Sequence, residues 1–327
     1  MFKDKSNYFL GHYFTKQPYK KTLIEMKKLQ LLVMGAMTIS FCATGCKTST
    51  PKQNTDSVAT DTPSVEPQTL AVDSIGYHKK TSSGLECTFS VDYPQSDDSL
   101  AIGVRNFIAQ ELAARYIPRE RTDEPKYLQK YPIYKGSVGD GKKLVDYYGT
   151  GTMNYLVEYR EEMAEFYDNH DEMPPLYQQV KIEKSEETPM YVTYGVTDER
   201  NMGGAHGSYN FYYVNISKRT FKPVYKMVDS KRIRALQPLL RKGVLWYLRG
   251  CGETSAADST LNSYLLLPES GIIPLPEHTP WLEKDTLKFV YQQYEIAPYA
   301  VGPVAFDIAV KDIKKYLTTE AKALLGE

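Results

Sequence analysis

The sequence predicts an α+β protein of two lobes, with antiparallel sheets packed against long helices. Three observations point there. Strand and helix patterns come in groups rather than in strict alternation, which disfavours a parallel α/β sheet. Leu85, Cys87, Phe89, Val91 and Tyr93 alternate with Glu86, Thr88, Ser90 and Asp92, the period of a half-buried strand. Two long stretches, to about Tyr116 and to about Leu248, carry apolar residues at helical spacing.

Taken in order, Ile75 to Lys80 is the hairpin partner of the strand at 85–93, across Thr81-Ser82-Ser83-Gly84. Pro94 ends that strand. Ser96 or Asp97 then caps a helix to about Tyr116, with Leu100, Val104, Phe107, Ile108 and Leu112 on one face and Pro118 as its stop. Asp140 to Asn169 reads as mainly helical, interrupted at Gly149 and Gly151. Strands follow near Tyr177–Ser185, Met190–Asp198 and Ser208–Asn215, with a glycine-bearing loop from Asp198 to Gly207. Ser217-Lys218-Arg219 is a hairpin tip. Asp229 or Ser230 opens the second long helix, and Pro238 inside it predicts a kink or break. Gly250 to Pro280 is rich in loop residues. Leu287–Tyr291 and Val304–Ile308 read as strands around a turn-forming stretch, and Lys311–Leu325 as a closing helix.

The first 72 residues have a different character. Met26-Lys27-Lys28, a mostly apolar run and Ala43-Thr44-Gly45-Cys46 have the layout of a secretory signal peptide. A cysteine after Thr-Gly resembles the bacterial lipobox, in which the thiol of that cysteine (here Cys46) is acylated, although Ala43 replaces the preferred Leu. Leu29 to Phe41 is short for a spanning helix, which needs about 20 apolar residues. The expected organisation is therefore an upstream start assigned too early (1–25), a lipoprotein signal peptide (26–45) and a polar Thr, Ser and Pro-rich tether (46–72). An N-terminal lobe (73–185) and a C-terminal lobe (186–327) follow. No acidic run follows Cys46, which favours a periplasm-facing position on the outer membrane over its outside face.

Removing residues 1–45 from 327 leaves 282, carrying 33 basic and 38 acidic residues. That mild acidity, without a basic tract, argues against nucleic acid as partner. Twenty-four tyrosines remain after the leader. They suit either a tyrosine-rich core or faces that stack on sugars and protein surfaces. Cys87 and Cys251 are the two cysteines of the body, and in an oxidising compartment a disulfide between them and a buried free thiol at Cys87 are both open.

Two blocks carry a family resemblance. Asn201-Met-Gly-Gly-Ala-His-Gly207 precedes a tyrosine-rich strand. Phe289-Val-Tyr-Gln-Gln-Tyr-Glu-Ile-Ala-Pro-Tyr-Ala-Val-Gly-Pro303 continues to Phe306-Asp307-Ile308 and the helix from Lys311. Together they resemble the extracytoplasmic region of RsiV-type anti-sigma factors, which also accompanies the catalytic domain of PdaC-type peptidoglycan deacetylases. The resemblance implies a two-lobed α+β body that binds a partner, lysozyme in the RsiV case, and is not itself a catalyst. Residues 1–25 are shorter than a sigma-binding segment and the chain includes no deacetylase domain, so neither of those activities is expected here.

The chemical candidates are few. His206, among glycines that allow close backbone approach, is a general-base candidate without a nucleophile or orienting acid in view. Its plainer reading is a turn histidine. Glu295 and Asp307 flank the signature turn and could be imagined as a glycosidase pair, but acids beside turns commonly accept backbone hydrogen bonds. His78, His170, His206 and His278 lack metal-ligand spacing. Gly136–Gly141 lacks the Lys-Ser/Thr of a phosphate loop, and Glu158–Asp171 does not match a calcium loop. No metal and no cofactor are therefore expected. The expectation is a lipid-anchored, non-enzymatic envelope module whose partner is a cell-wall glycan or a wall-cleaving protein such as lysozyme. An envelope polysaccharide- or peptide-modifying enzyme and a membrane-anchored sensor are the alternatives. Binding is expected at His206, Tyr209, Tyr294 and Tyr299.

Overall fold

A computed structural model describes residues 69–117, 125–165, 167 and 173–327. The signal peptide, the acylation motif at Cys46, most of the tether, Pro118 and His170 lie outside the described residues. All described residues belong to one compact unit, Ser64–Glu327. Its folded part begins at Leu70, three residues before the expected Asp73. Leu70 is buried, and its N–H donates to the Glu187 carboxylate at 3.0 Å.

Strands β1 (Val72–Lys80) and β2 (Leu85–Pro94) form the expected hairpin, closed by a bond of 2.9 Å from the Thr81 N–H to the Leu85 carbonyl. Helix α1 (Ser99–Ala114) is capped by Asp98 rather than by Ser96 or Asp97, its carboxylate accepting from the Ala101 N–H at 2.9 Å. Asp97 instead pairs with Arg105. After the short α2 (Pro125–Lys130), helix α3 (Gly141–Ala164) starts at an Asp140 cap and runs without interruption. The glycines predicted to break it serve packing instead. A Cβ on Gly149 would sit 2.4 Å from the Tyr77 ring, and one on Gly151 about as close to Tyr116. Helix and tyrosines approach only because those side chains are absent.

Strands β3 (Leu176–Glu187), β4 (Tyr191–Asn201) and β5 (Ser208–Ser217) complete a five-stranded sheet ordered β1-β2-β3-β4-β5. The class is α+β, but the sheet is mixed rather than antiparallel. β2 and β3 run parallel, Leu85 opposite Leu176 through Val91 opposite Ile182. The three helices between them supply the long crossover that a parallel pair needs. The helices cover one sheet face, where Phe89, Phe107, Leu112, Leu144, Leu156 and Tyr194 share the first core. This sheet runs through the lobe boundary expected at 185/186. The first core extends to Ile216, and the second is built almost wholly from residues beyond Val224, with Tyr191 as its one member from the sheet.

Helix α4 (Ile233–Gly250) follows a 3-10 turn capped by Asp229 and continues through Pro238 without a break. Its buried face, Leu236, Leu240, Val244 and Leu248, packs on a three-stranded antiparallel sheet of β6 (Trp281–Glu283), β7 (Thr286–Tyr291) and β8 (Val304–Ala309). The closing helix is split into α5 (Val310–Ile313), a 3-10 turn and α6 (Thr319–Ala323). The cause is tertiary. Leu317 bridges to Val228, the Asp229 N–H donates to the Tyr316 carbonyl, and the Thr318 N–H donates to the Met227 carbonyl. These bonds hold residues 317 and 318 extended where helical spacing would continue.

Candidate functional site

Two side-chain amides join the sheets. Asn215 accepts from the Leu282 N–H at 2.7 Å and donates to the Leu282 carbonyl at 3.0 Å. Gln292 does the same for Phe211, at 3.2 and 2.8 Å. Each amide completes the hydrogen bonding of one residue at a strand edge. Gln292 thereby fixes the turn after β7 against β5, directly beyond the glycine loop that carries His206.

The turn and the loop meet there. The His206 ring stacks on Tyr299 with centroids 3.7 Å apart, and Tyr294 lies 6.2 Å from His206. The Tyr299 hydroxyl donates to the Gly207 carbonyl at 3.0 Å. His206 Nδ1 contacts that same carbonyl at 3.0 Å. A carbonyl only accepts, so Nδ1 carries the hydrogen in this contact. In the neutral ring Nε2 is then the acceptor, and the Tyr294 hydroxyl, 3.4 Å away, is its donor. Tyr294 is 57% exposed and holds φ at +68°, a left-handed conformation that costs a tyrosine roughly 1 kcal/mol or more. The Glu295 carboxylate braces the turn, accepting from the N–H of Gln292 at 2.7 Å and of Glu277 at 2.6 Å. Glu295 is thus occupied as a backbone acceptor, and burial raises its pKa. Asp307 is an exposed residue of β8. The two do not form a catalytic pair.

Tyr209 departs from the expected grouping. Strand alternation places it with Phe211 and Tyr213 on the sheet face that the helices leave open, and its ring contact is with Phe211 at 5.6 Å. Tyr213 there stacks on Trp281.

Beside His206 lies a cavity of about 650 Å³ on the helix side of the sheet. Its walls include Ile117, Tyr159, Met163, Met202, Ser208 and Asn210, with Asp198 and Arg200 paired at 2.5 Å. The size falls in the range of small-ligand pockets. Under it runs a buried polar network that the sequence reading missed. Arg115 donates to the Glu111 carboxylate at 2.6 Å and to the Tyr212 hydroxyl at 2.6 Å, and Tyr212 donates in turn to Glu111. Gln178 links the Arg115 carbonyl to Asp198. His278 stacks on Tyr212 at 3.7 Å. Burial opposes the Arg115 charge, but Tyr212, Glu111 and Asp198 outweigh it and hold its pKa above the ordinary value. Burial, and then the Arg115 charge, lower that of His278. The only advance signal was Glu111 and Arg115 four apart on a helix, a spacing that ordinarily marks a surface pair. The network leaves one buried donor, Arg115 Nε, without a hydrogen-bond partner, and it presents no nucleophile with its base.

Cys87 and Cys251 form no disulfide. Cys87 is fully buried beneath α3 in the first core, whereas Cys251 is exposed at the end of α4, which belongs to the second. Among the described residues no group of three or more His, Cys, Asp or Glu converges as a metal site.

Comparison with curated proteins finds no match. Two crystal structures are similar in fold. One is of a DUF3298-family member from Bacteroides fragilis NCTC 9343, at 21% identity and a TM-score of 0.55, over 79% of this chain and 98% of that one. The other is of a DUF3298-family protein from Pseudomonas aeruginosa PAO1, at 12% identity and a TM-score of 0.49, over 78% and 97%. In this chain residues 256–311, which hold β6, β7, the braced turn and β8, match the family described as "Protein of unknown function (DUF3298)".

Proposed function

We propose that this protein is a lipid-anchored, non-enzymatic binding module of the bacterial envelope, related in role to the extracytoplasmic part of RsiV-type proteins, and that its partner is a cell-wall glycan. One observation carries the reading: the His206 and Tyr299 rings are stacked, with Tyr294 projecting beside them, next to a cavity whose walls mix polar and apolar side chains. Exposed aromatic faces stack on the apolar faces of sugars, and neighbouring amide and hydroxyl groups take the sugar hydroxyls. The carboxylates near the cavity are already engaged, Asp198 by Arg200 and Gln178 and Glu111 by Arg115, which favours binding over acid–base turnover.

Co-sedimentation of the purified protein with insoluble peptidoglycan tests this, with lysozyme capture in parallel. Peptidoglycan retention, weakened at least tenfold by Tyr294→Ala, supports the glycan. Lysozyme capture without retention on peptidoglycan replaces the glycan by a wall-cleaving protein. Hydrolysis of the glycan would overturn the non-enzymatic reading. The acyl anchor is tested by Cys46→Ser, which should release the protein from membranes or block its processing, since stable anchoring takes two or more acyl chains.

A further inference from the structure

The basic residues of this chain are unevenly placed. Between Ile216 and Gly250 there are ten Lys and Arg and one acid, Asp229, in a chain whose 40 basic and 40 acidic residues balance. Whole-chain counting averages that segment away. Within it, α4 carries Arg234, Arg241, Lys242 and Arg249 and no acidic residue. Arg241 is turned to Asp258 and Asn262. Arg249 donates to the Ala256 carbonyl at 2.9 Å. Arg234 and Lys242 lie outward.

The geometry is ordered. Arg234, Pro238, Lys242 and Trp246 follow at four-residue intervals and are all exposed, with Arg249 one turn further. Leu236, Leu240, Val244 and Leu248, two positions out of phase, form the buried face. The helix therefore seats one face in the core and shows a stripe of cations ending in an indole on the other. Trp246 is 67% exposed, more than any other large apolar side chain among the described residues. Its ring is apolar in body with a polar N–H, and it stands on the same stripe as the cations.

We infer that the Arg234–Lys242–Trp246 face of α4 docks on an anionic phospholipid surface. Charge complementarity fits lipid phosphates, and each Lys or Arg near such a surface strengthens attraction by about fivefold. The indole decides between occupants. A soluble polyanion satisfies only the cations, whereas the headgroup region of a bilayer also takes a Trp ring, apolar in body and polar at its N–H. A helix of 18 residues, about 27 Å long, can lay one face along that plane.

The test uses the full chain with Cys46→Ser, so that no acyl chain contributes. The probes are vesicles of phosphatidylcholine alone or with 30% phosphatidylglycerol. Trp246 fluorescence is the readout, because the only other tryptophan, Trp281, is buried. Anionic vesicles should shift the emission to the blue and protect it from iodide, and neutral ones should not. Arg234→Gln with Lys242→Gln should cut the apparent partition roughly 25-fold, about fivefold for each charge. Trp246→Phe should abolish the shift. All three positions are exposed, so circular dichroism should be unchanged. No shift, an equal shift with neutral vesicles, or the same shift with inorganic polyphosphate would each overturn the proposal.

Discussion

The Gln292 side chain pairs with the backbone of Phe211 as a strand would, donating to its carbonyl at 2.8 Å and accepting from its N–H at 3.2 Å. The two residues are 81 apart in sequence, and Gln292 is nearly buried. This contact sets the distance between the turn bearing Tyr294 and the loop bearing His206.

Gln292→Leu keeps the volume and removes both bonds, leaving two strand-edge backbone groups without their partner. The expected cost is about 1–3 kcal/mol in urea denaturation. Gln292→Glu should cost at least as much, because a carboxylate would face the Phe211 carbonyl. In both variants the His206–Tyr299 stack should loosen, seen as increased hydrogen exchange in residues 203–208. A protected loop in a destabilised Gln292→Leu would show that other contacts position it.

Tyr294 separates stability from binding. Its left-handed φ is relieved by glycine, so Tyr294→Gly should leave stability unchanged or raise it by up to about 1 kcal/mol. The same change removes the exposed ring and should weaken peptidoglycan retention tenfold or more. Tyr299→Phe keeps the stack and loses the bond to Gly207, so it should cost about 1 kcal/mol of stability and little binding. Equal loss of both properties in both variants would make the cluster a fold determinant.

The elements legible in the sequence are those whose reasons are local. The alternation at 85–93 is β2, the spacing of Val104, Phe107, Ile108 and Leu112 is the buried face of α1, and the turn residues around His206 and Tyr294 do form adjoining loops. What was hidden has distant causes. Residues 317 and 318 leave the helix because of the bonds that 316–318 make to residues 227–229. β6 is only three residues long and has no pattern of its own, being held by Asn215. Gly149 and Gly151 look like breakers until Tyr77 and Tyr116 are seen against them. Arg115 meets Tyr212 across 97 residues, which no spacing rule anticipates.

His278 should make stability pH-dependent. Burial and Arg115 lower its pKa in the fold, so below the ordinary histidine value of about 6.5 the unfolded chain binds a proton that the native state resists. Its contribution is full above that pH and is lost as pH falls toward the folded pKa, at up to about 1.4 kcal/mol per pH unit. Phenylalanine can keep the stack on Tyr212 without titrating. Urea midpoints at pH 7.5 and 5.5 should therefore fall further for the parent than for His278→Phe. Equal falls would show that His278 protonates freely in the native state.

The two body cysteines should differ sharply in reactivity. Cys87 is fully buried, its thiol 3.7 Å from the Gly149 carbonyl, and burial pushes its pKa up to about 12. Thiolate is the reactive form, so Cys87 should resist alkylation until the first core opens. Cys251 is exposed at the end of α4 and needs no opening. Iodoacetamide on the native protein, read by peptide mass mapping, should mark Cys251 within minutes and Cys87 only in denaturant. Reducing agent should leave the melting temperature unchanged, because no bond joins the pair. Cys87→Ser would place a hydroxyl among apolar neighbours and should destabilise by about 1–3 kcal/mol, whereas Cys251→Ser should be silent. A mass-mapped link between the two residues in air-oxidised protein would require the two cores to rearrange, and would overturn the packing that puts Cys87 under α3.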